Sequence, residues 1–452
     1  MRETPANAGT SIKRLAAYGF IALAAIAFAN LPTVPVSATD ANEAAREFQD
    51  KRPACSVTDV NQLLSVAAWA VEHSLFNEAD QVYRDVLDLE PANEQARAIL
   101  VQIASRRKLP RDSAVLTAAK GQLPPTFAAC ESAHFIVLSD AGLIRARKHA
   151  ELLERAEHQF RRFTARLNLQ PLPLQHKLVC VLFRSVDDYR EFASAQDGVN
   201  AAWVTGYYTP ANDRIVFYDA ELAPPPVEAL NMIGKADASI ALLEGKARDL
   251  ERSMQATQAQ SLRRQAEQLR QQREETNQQV GASARATAVA TAVHEAVHQL
   301  LYHTRVQSLQ VRSPLWISEG LATNFETDLP NQAFGPDHEC EPRRADFDQY
   351  LSEGRLLPLP ELVQIDELST GDEHRAAVVY AQSYALVKWM CRFRAEQLRI
   401  YLDLMRVEIG EPSPERHLEL FQSAFGDAAK LEHAWLRFER DRAQRESTVS
   451  RK

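Results

Sequence analysis

At 452 residues the chain exceeds what one hydrophobic core usually organises, which points to two or three structural units. Its 45% hydrophobic and 25% charged content is that of a globular protein and excludes a fibrous or wholly disordered one. A formal net charge of −8 leaves no surplus of cations to neutralise phosphates, so no nucleic-acid partner is expected.

At the N-terminus, Lys13 and Arg14 precede an apolar run from Leu15 to Ala29, which is short and alanine-rich for a membrane span. Pro32 and Pro35 break any helix there, and Val36-Ser37-Ala38 supplies small residues ahead of Thr39. These are the three regions of a secretory signal, so residues 1–38 are expected to be removed and the mature chain to be periplasmic or extracellular. An uncleaved N-terminal anchor and a buried helix are the rival readings. With the signal cleaved, no membrane span is expected. None of the five cysteines, Cys55, Cys130, Cys180, Cys340 and Cys391, stands in a CxxC pair. A thiolate zinc site is therefore not expected, and up to two disulfides remain open in an exported chain. Cys180 sits in an apolar run and reads as a buried thiol.

From Val57 to Ser105 the period is helical, with Leu63, Val66, Ala67 and Ala70 on one face and Ala79, Tyr83 and Val86 on another. The spacing resembles a single tetratricopeptide-like unit, with an ordinary helical hairpin as the alternative. Residues 39–125 are thus expected to form a helical unit ending in a proline-bearing linker, Lys108 to Pro125. Next, His134 to Ser139 and Lys177 to Arg184 read as strands flanking a long helix, Leu143 to Leu167. Trp203 to Tyr208 and Arg214 to Tyr218, joined by the turn residues Thr209 to Asp213, read as a hairpin. The expected class is α+β, mainly helical, with a small mixed sheet.

Residues 227–283 then carry Leu243, Leu250 and Met254, followed by Leu262 and Leu269, in a Gln-, Arg- and Ala-rich background. This is expected to be a long helix or helical hairpin of coiled-coil type, inserted into a domain spanning 126–446. It leaves open a protein partner or self-association through the insertion and the N-terminal repeat. Residues 447–452 are expected to be a disordered tail.

The chemistry concentrates in Ala286 to Tyr302, ATAVATAVHEAVHQLLY. On a helix, His294 and His298 project from one face and can grip one metal, while Glu295 beside them can reach a metal-bound water. Zinc in an open catalytic site needs a third protein ligand, and Glu319 in WISEGLA supplies it. In a chain of this composition HExxH arises by chance roughly once in forty sequences, so the helix and the downstream Glu319 carry much of the assignment. Glu326, seven residues on, is expected to return to nearly the face of Glu319, where it either holds the outer nitrogen of a ligand histidine or stands solvated at the helix end.

HEAVH followed by WISEGLA resembles the gluzincin metallopeptidases, and more closely a bacterial peptidase-like family of that clan whose function is uncharacterised. GYYTPANDRIVFYD, YAQSYALVKWM and the stretch from Phe421 to Trp435 extend the resemblance over about Ala128 to Arg442, apart from the insertion. It implies His294, His298 and Glu319 as zinc ligands and Glu295 as general base. It also implies an edge strand in the Trp203 to Tyr218 hairpin that pairs with an extended peptide or protein substrate. Tyr380 matches the family tyrosine that donates to a developing oxyanion, with Tyr384 as understudy. The Gly-rich, Met-Glu-Asn signature of large zinc aminopeptidases is absent, so their specificity is not implied. The expectation is a zinc-dependent hydrolase, a peptidase. Its rivals are an amidase acting on non-peptide bonds and a non-catalytic exported scaffold with a vestigial zinc fold.

Overall fold

The computed structural model describes residues 38–449 other than 55–57, 107, 201–203, 226, 309 and 369–371. The expected signal run, Cys55 and Trp203 lie outside the described residues. No helix among those described is long and apolar enough to cross a membrane.

The chain is mainly helical with one small mixed sheet, an α+β architecture. Helix α1 (Ala38–Ala54) leads into α2 (Val60–Glu72), α3 (Phe76–Leu89) and α4 (Glu94–Ala104). Asp59 caps α2 by accepting from the amides of Asn61 and Gln62, and Asn93 caps α4 through the amide of Ala96. Leu63, Ala67, Ala70, Ala79, Val82, Tyr83 and Val86 close a core among these helices, and Leu172 from the following unit joins it. Arg84, held by Asp80, also donates to the carbonyl of Pro173, so the helical layer is fastened to the sheet unit.

The segment read as a linker contains a helix instead, α5 (Ala114–Gln122), capped by Ser113. Its Leu116 and Ala119 pack beneath the sheet. Local proline content masked an apolar face that only the sheet could cover.

Strands β1 (Ala128–Glu131), β2 (Phe135–Ser139), β3 (Leu178–Phe183), β4 (Gly206–Thr209) and β5 (Arg214–Tyr218) lie in the order β1-β2-β3-β5-β4. The β2, β3 and β5 trio is parallel, while β1 and β4 pair antiparallel at the edges. Two-residue alternation splits the trio between two cores. Phe135, Val137, Cys180, Leu182, Ile215 and Phe217 face α6 (Leu143–Arg166) and the large core. Ile136, Leu138, Val179, Val181 and Val216 face α5 and α7 (Val186–Asp197). Burial on both faces explains why the central strands are continuous apolar runs. The cysteines Cys130, Cys180, Cys340 and Cys391 are free thiols.

The insertion is a hairpin of α8 (Val227–Arg252) and α9 (Ala256–His303), turning at Met254, which is 94% exposed with φ at 59°. Met254 is therefore a turn residue, not a seam residue. The seam is made by buried Ala247, Ala259 and Ala266 beside half-buried Leu243, Leu250, Leu262 and Leu269. Small side chains let the helices approach closely, and the ion pairs Arg263–Glu251 and Arg273–Asp237 bridge them outside. The second helix of this hairpin does not stop where the hairpin meets the domain. It continues as the helix that carries His294 and His298.

Helices α10 (Leu315–Thr323), α11 (Glu341–Ser352), α12 (Leu359–Leu362), α13 (Glu373–Phe393), α14 (Ala395–Val407), α15 (Pro414–Phe425) and α16 (Ala428–Val449) complete the chain. The helix α16 runs through residues 447–449, which the sequence assigns to a tail.

Candidate metal centre

In α9, Ala292, Val293, Ala296, Val297, Leu300 and Leu301 are buried against the sheet and α6. That packing fixes the rotation of the helix and turns His294, Glu295 and His298 toward a cleft of about 890 Å³. Close approach of β4 to this helix requires a glycine: a Cβ on Gly206 would lie 2.7 Å from Thr291 Cγ2 and 2.9 Å from Phe217 Cβ. Helix α10 brings the third partner, a carboxylate. Trp316 is fully buried against Tyr401 and Phe421, anchoring the helix start. Gly320 lets α10 press on α13, since a Cβ there would meet Val387 Cγ2 at 2.5 Å and Ser383 O at 2.8 Å. Glu319 then faces the two histidines.

The donor atoms converge. His294 Nε2 lies 3.1 Å from His298 Nε2 and 3.2 Å from Glu319 Oε2, and His298 Nε2 lies 3.5 Å from Glu319 Oε1. A tetrahedral ion with ligand distances of 2.0–2.1 Å has donor atoms about 3.3 Å apart, close to the spacings between these three groups. The fourth corner faces the cleft. All three residues are buried, which excludes a chance meeting of solvated side chains.

A carboxylate behind His294 sets its tautomer. Glu326 Oε1 lies 2.9 Å from His294 Nδ1, so Nδ1 donates to Glu326 and Nε2 is the nitrogen turned toward His298 and Glu319. Arg343 grips Glu326 bidentately, Nε to Oε2 at 2.7 Å and Nη2 to Oε1 at 2.8 Å. Glu326 does not arrive by two further turns of α10, which ends at Thr323. Tight turns at Phe325 and Glu326, whose amides reach Ala322 and Thr323, carry it to the same place.

Electrostatics favour a cation here. Burial works against charge on His294, yet its hydrogen bonds to Glu319 and Glu326 push its pKa up to about 10. Burial raises the Glu319 carboxyl, but His298 and His294 outweigh it and hold the group well below the usual carboxylate range. Surroundings that stabilise an imidazolium this strongly stabilise a dication at the same point. The donor set of two imidazoles and one carboxylate suits zinc in a catalytic site that keeps an open position.

Glu295 is not a member of the triangle. Its Oε2 accepts from the amide of Tyr208 on β4 at 2.7 Å. Burial raises its pKa against the opposing pull of His294 and His298. Tyr380 on α13 stacks its ring on that of His294 at 6.4 Å between centroids, with Glu319 in the same cleft. Burial, together with Glu319 and Glu295, holds its hydroxyl protonated far above neutral pH. Tyr384 is elsewhere: wholly buried, it donates to Glu339 Oε1 at 2.5 Å and accepts from the amide of Cys340. That removes it as a substitute for Tyr380.

Tyr208, Tyr302 and Arg343 also line the cleft, and the sequence singled out none of them for the site. Arg343 stands in a stretch with no periodic or motif signal, and the Tyr208–Tyr302 stack, 5.7 Å between centroids, joins residues far apart in the chain.

The fold and site define the chain as an α+β protein with a buried His2Glu cluster opening on a cleft. A family model described as a protein of unknown function, DUF1570, matches residues 288–408. The match runs from the buried part of α9 to beyond the end of α14 and takes in every cluster residue above, while leaving out the sheet and most of the hairpin. No curated protein matches the chain.

Proposed function

We propose that the chain is a zinc-dependent hydrolase of the gluzincin kind, acting as a metallopeptidase. The supporting observation is the triangle of His294, His298 and Glu319 donor atoms with Glu295 and Tyr380 in the same cleft but outside the triangle. When bound, zinc would polarise a carbonyl and bring the pKa of its water toward about 7.

The residues divide the remaining work. Glu295, fixed through Oε2 by the Tyr208 amide, accepts a proton through Oε1 from the attacking water as the C–O bond forms. It returns that proton to the amine nitrogen as the C–N bond breaks. The protonated Tyr380 hydroxyl donates to the carbonyl oxygen as negative charge develops there. Because the Tyr208 amide is spent on Glu295 and not on the ladder, Gly206 and Tyr208 face the open edge of β4. Their remaining backbone groups can pair with an extended peptide, which favours peptides as substrates.

The test is cleavage of an unbiased peptide library by the zinc-loaded chain and by Glu295→Gln. Wild type should cleave, and Glu295→Gln should lose about 10²–10⁴-fold in turnover with its zinc retained. Equal cleavage by both forms, or a wild type that binds no zinc, would overturn the proposal.

A further inference from the structure

A second cluster of metal-ligating side chains lies beyond the end of the metal helix. His303 is the last residue of α9, Asp213 sits in the β4–β5 turn, and His176 precedes β3. Their candidate ligand atoms all lie within 4.8 Å of one another. His303 Nε2 is 2.6 Å from Asp213 Oδ1, and His176 Nε2 is 3.8 Å from Asp213 Oδ2. His303 follows His298 by five residues, about 140° round the helix, so this cluster is separate from the cleft site and not a second half of it.

The hydrogen bonding leaves a specific gap. His176 Nδ1 lies 3.0 Å from the carbonyl of Lys177, which makes Nδ1 the protonated nitrogen and leaves a lone pair on Nε2. That lone pair faces a carboxylate oxygen at 3.8 Å, too far for a hydrogen bond. Two electron-rich atoms facing each other in a half-buried site call for a cation between them. Among the described residues no lysine or arginine hydrogen-bonds Asp213. Its other partner is the Tyr208 hydroxyl at 3.2 Å from Oδ1, a neutral donor.

We infer that His176, Asp213 and His303 form a second, structural site for a divalent transition ion that accepts imidazole, zinc being the probe. Two imidazoles and a carboxylate suit zinc, nickel or copper better than calcium or magnesium. The 2.6 Å His303–Asp213 contact then opens toward the tetrahedral donor spacing of about 3.3 Å, while the His176 contact closes toward it. The ion staples three segments together: the turn of the edge hairpin, the end of α9 and the approach to β3. It thereby braces Tyr208, whose amide holds Glu295. The inference does not depend on the proposed hydrolase activity.

Elemental analysis of the full chain, stripped, reloaded with excess zinc and desalted, tests it. Wild type should retain two zinc equivalents, and His176→Gln and Asp213→Asn should each retain one. Glu319→Ala, which removes only a cleft ligand, should also retain one. Full wild-type content in both His176→Gln and Asp213→Asn would overturn the second site while leaving the first. Should those variants fail to fold by circular dichroism, Co2+ added to Glu319→Ala decides. Intense four-coordinate bands in the visible support the second site, and the weak spectrum of hydrated Co2+ alone refutes it.

Discussion

Two histidine-and-glutamate clusters of this protein are close in composition and differ in what already fills them. In the cleft, donor atoms of His294, His298 and Glu319 gather, and among the described residues no lysine or arginine hydrogen-bonds to any of the three. Beside β2, His134 gathers with Glu154 and Glu157 of α6, but Arg161 is already there. It bonds Glu157 Oε1 through Nε at 2.7 Å and approaches His134 Nε2 at 3.2 Å. Glu154 is filled as well, taking the Ser132 hydroxyl and the His134 amide on one oxygen and the His134 ring on the other. Residue types and proximity are therefore not enough for a metal centre. What separates the two clusters is whether a guanidinium already sits among their imidazoles and carboxylates.

The comparison breaks most easily at a ligand. Glu319→Ala should abolish tight zinc binding in the cleft and all turnover, whereas Glu154→Ala should leave zinc content at the wild-type value. Equal zinc loss in both variants would show that the cluster filled by Arg161 binds metal too and would erase the contrast. Tyr380→Phe comes next, losing about 100–1,000-fold in kcat with zinc content and Tm nearly unchanged. Normal turnover in that variant would remove the hydroxyl from the mechanism.

Glu326→Ala sharpens the role of the carboxylate behind His294. It should weaken zinc affinity by about 10–100-fold, measured by competition with a chelator of known affinity. An unchanged affinity would make the Glu326–Arg343 pair a structural clamp only.

The smallest effect belongs to the filled cluster. Glu154→Gln should cost about 1.5–3 kcal/mol of stability, the worth of hydrogen bonds to a charged group, without moving zinc affinity. Burial pushes the Glu154 carboxyl up, but the His134 and Ser132 hydrogen bonds outweigh it and hold the group at about 2. Its contribution is therefore full above the ordinary value of 4.5 and lost as pH falls through about 2. His134 is raised above 6.5, first by its bond to Glu154. Its contribution is full below 6.5 and lost as pH rises through the raised value. The difference between wild type and Glu154→Gln in urea unfolding should thus peak between pH 4.5 and 6.5. A flat difference across pH would show that the pair is not ionic.

Much of this was legible along the chain, because it is local. The four-residue spacing of His294 and His298 on a breaker-free helix orients both imidazoles whatever the helix packs on. Alternating and continuous apolar runs mark β2, β3 and β5, and turn chemistry marks the β4–β5 hairpin, since strand period and turn dihedrals are properties of neighbouring residues. The helical class of the insertion follows from its composition for the same reason.

Other features depend on partners distant in sequence, and only the tertiary structure decides them. Helix α5 exists because the sheet covers Leu116 and Ala119, and β1 exists because β2 offers it an edge. Whether the alanine seam joins two chains or closes on itself is settled by the turn at Met254, which folds α8 back on α9. Sequence could nominate Glu319, but bringing it within 3.2 Å of His294 takes Gly320 seated on Ser383 and Trp316 buried against Phe421. Nothing local marks Arg343 as the clamp on Glu326 or Tyr208 as the holder of Glu295. The physical reason is range. Backbone propensity and side-chain period act over a few residues, whereas lone pairs, salt bridges and desolvation are set by whichever segments the core brings together.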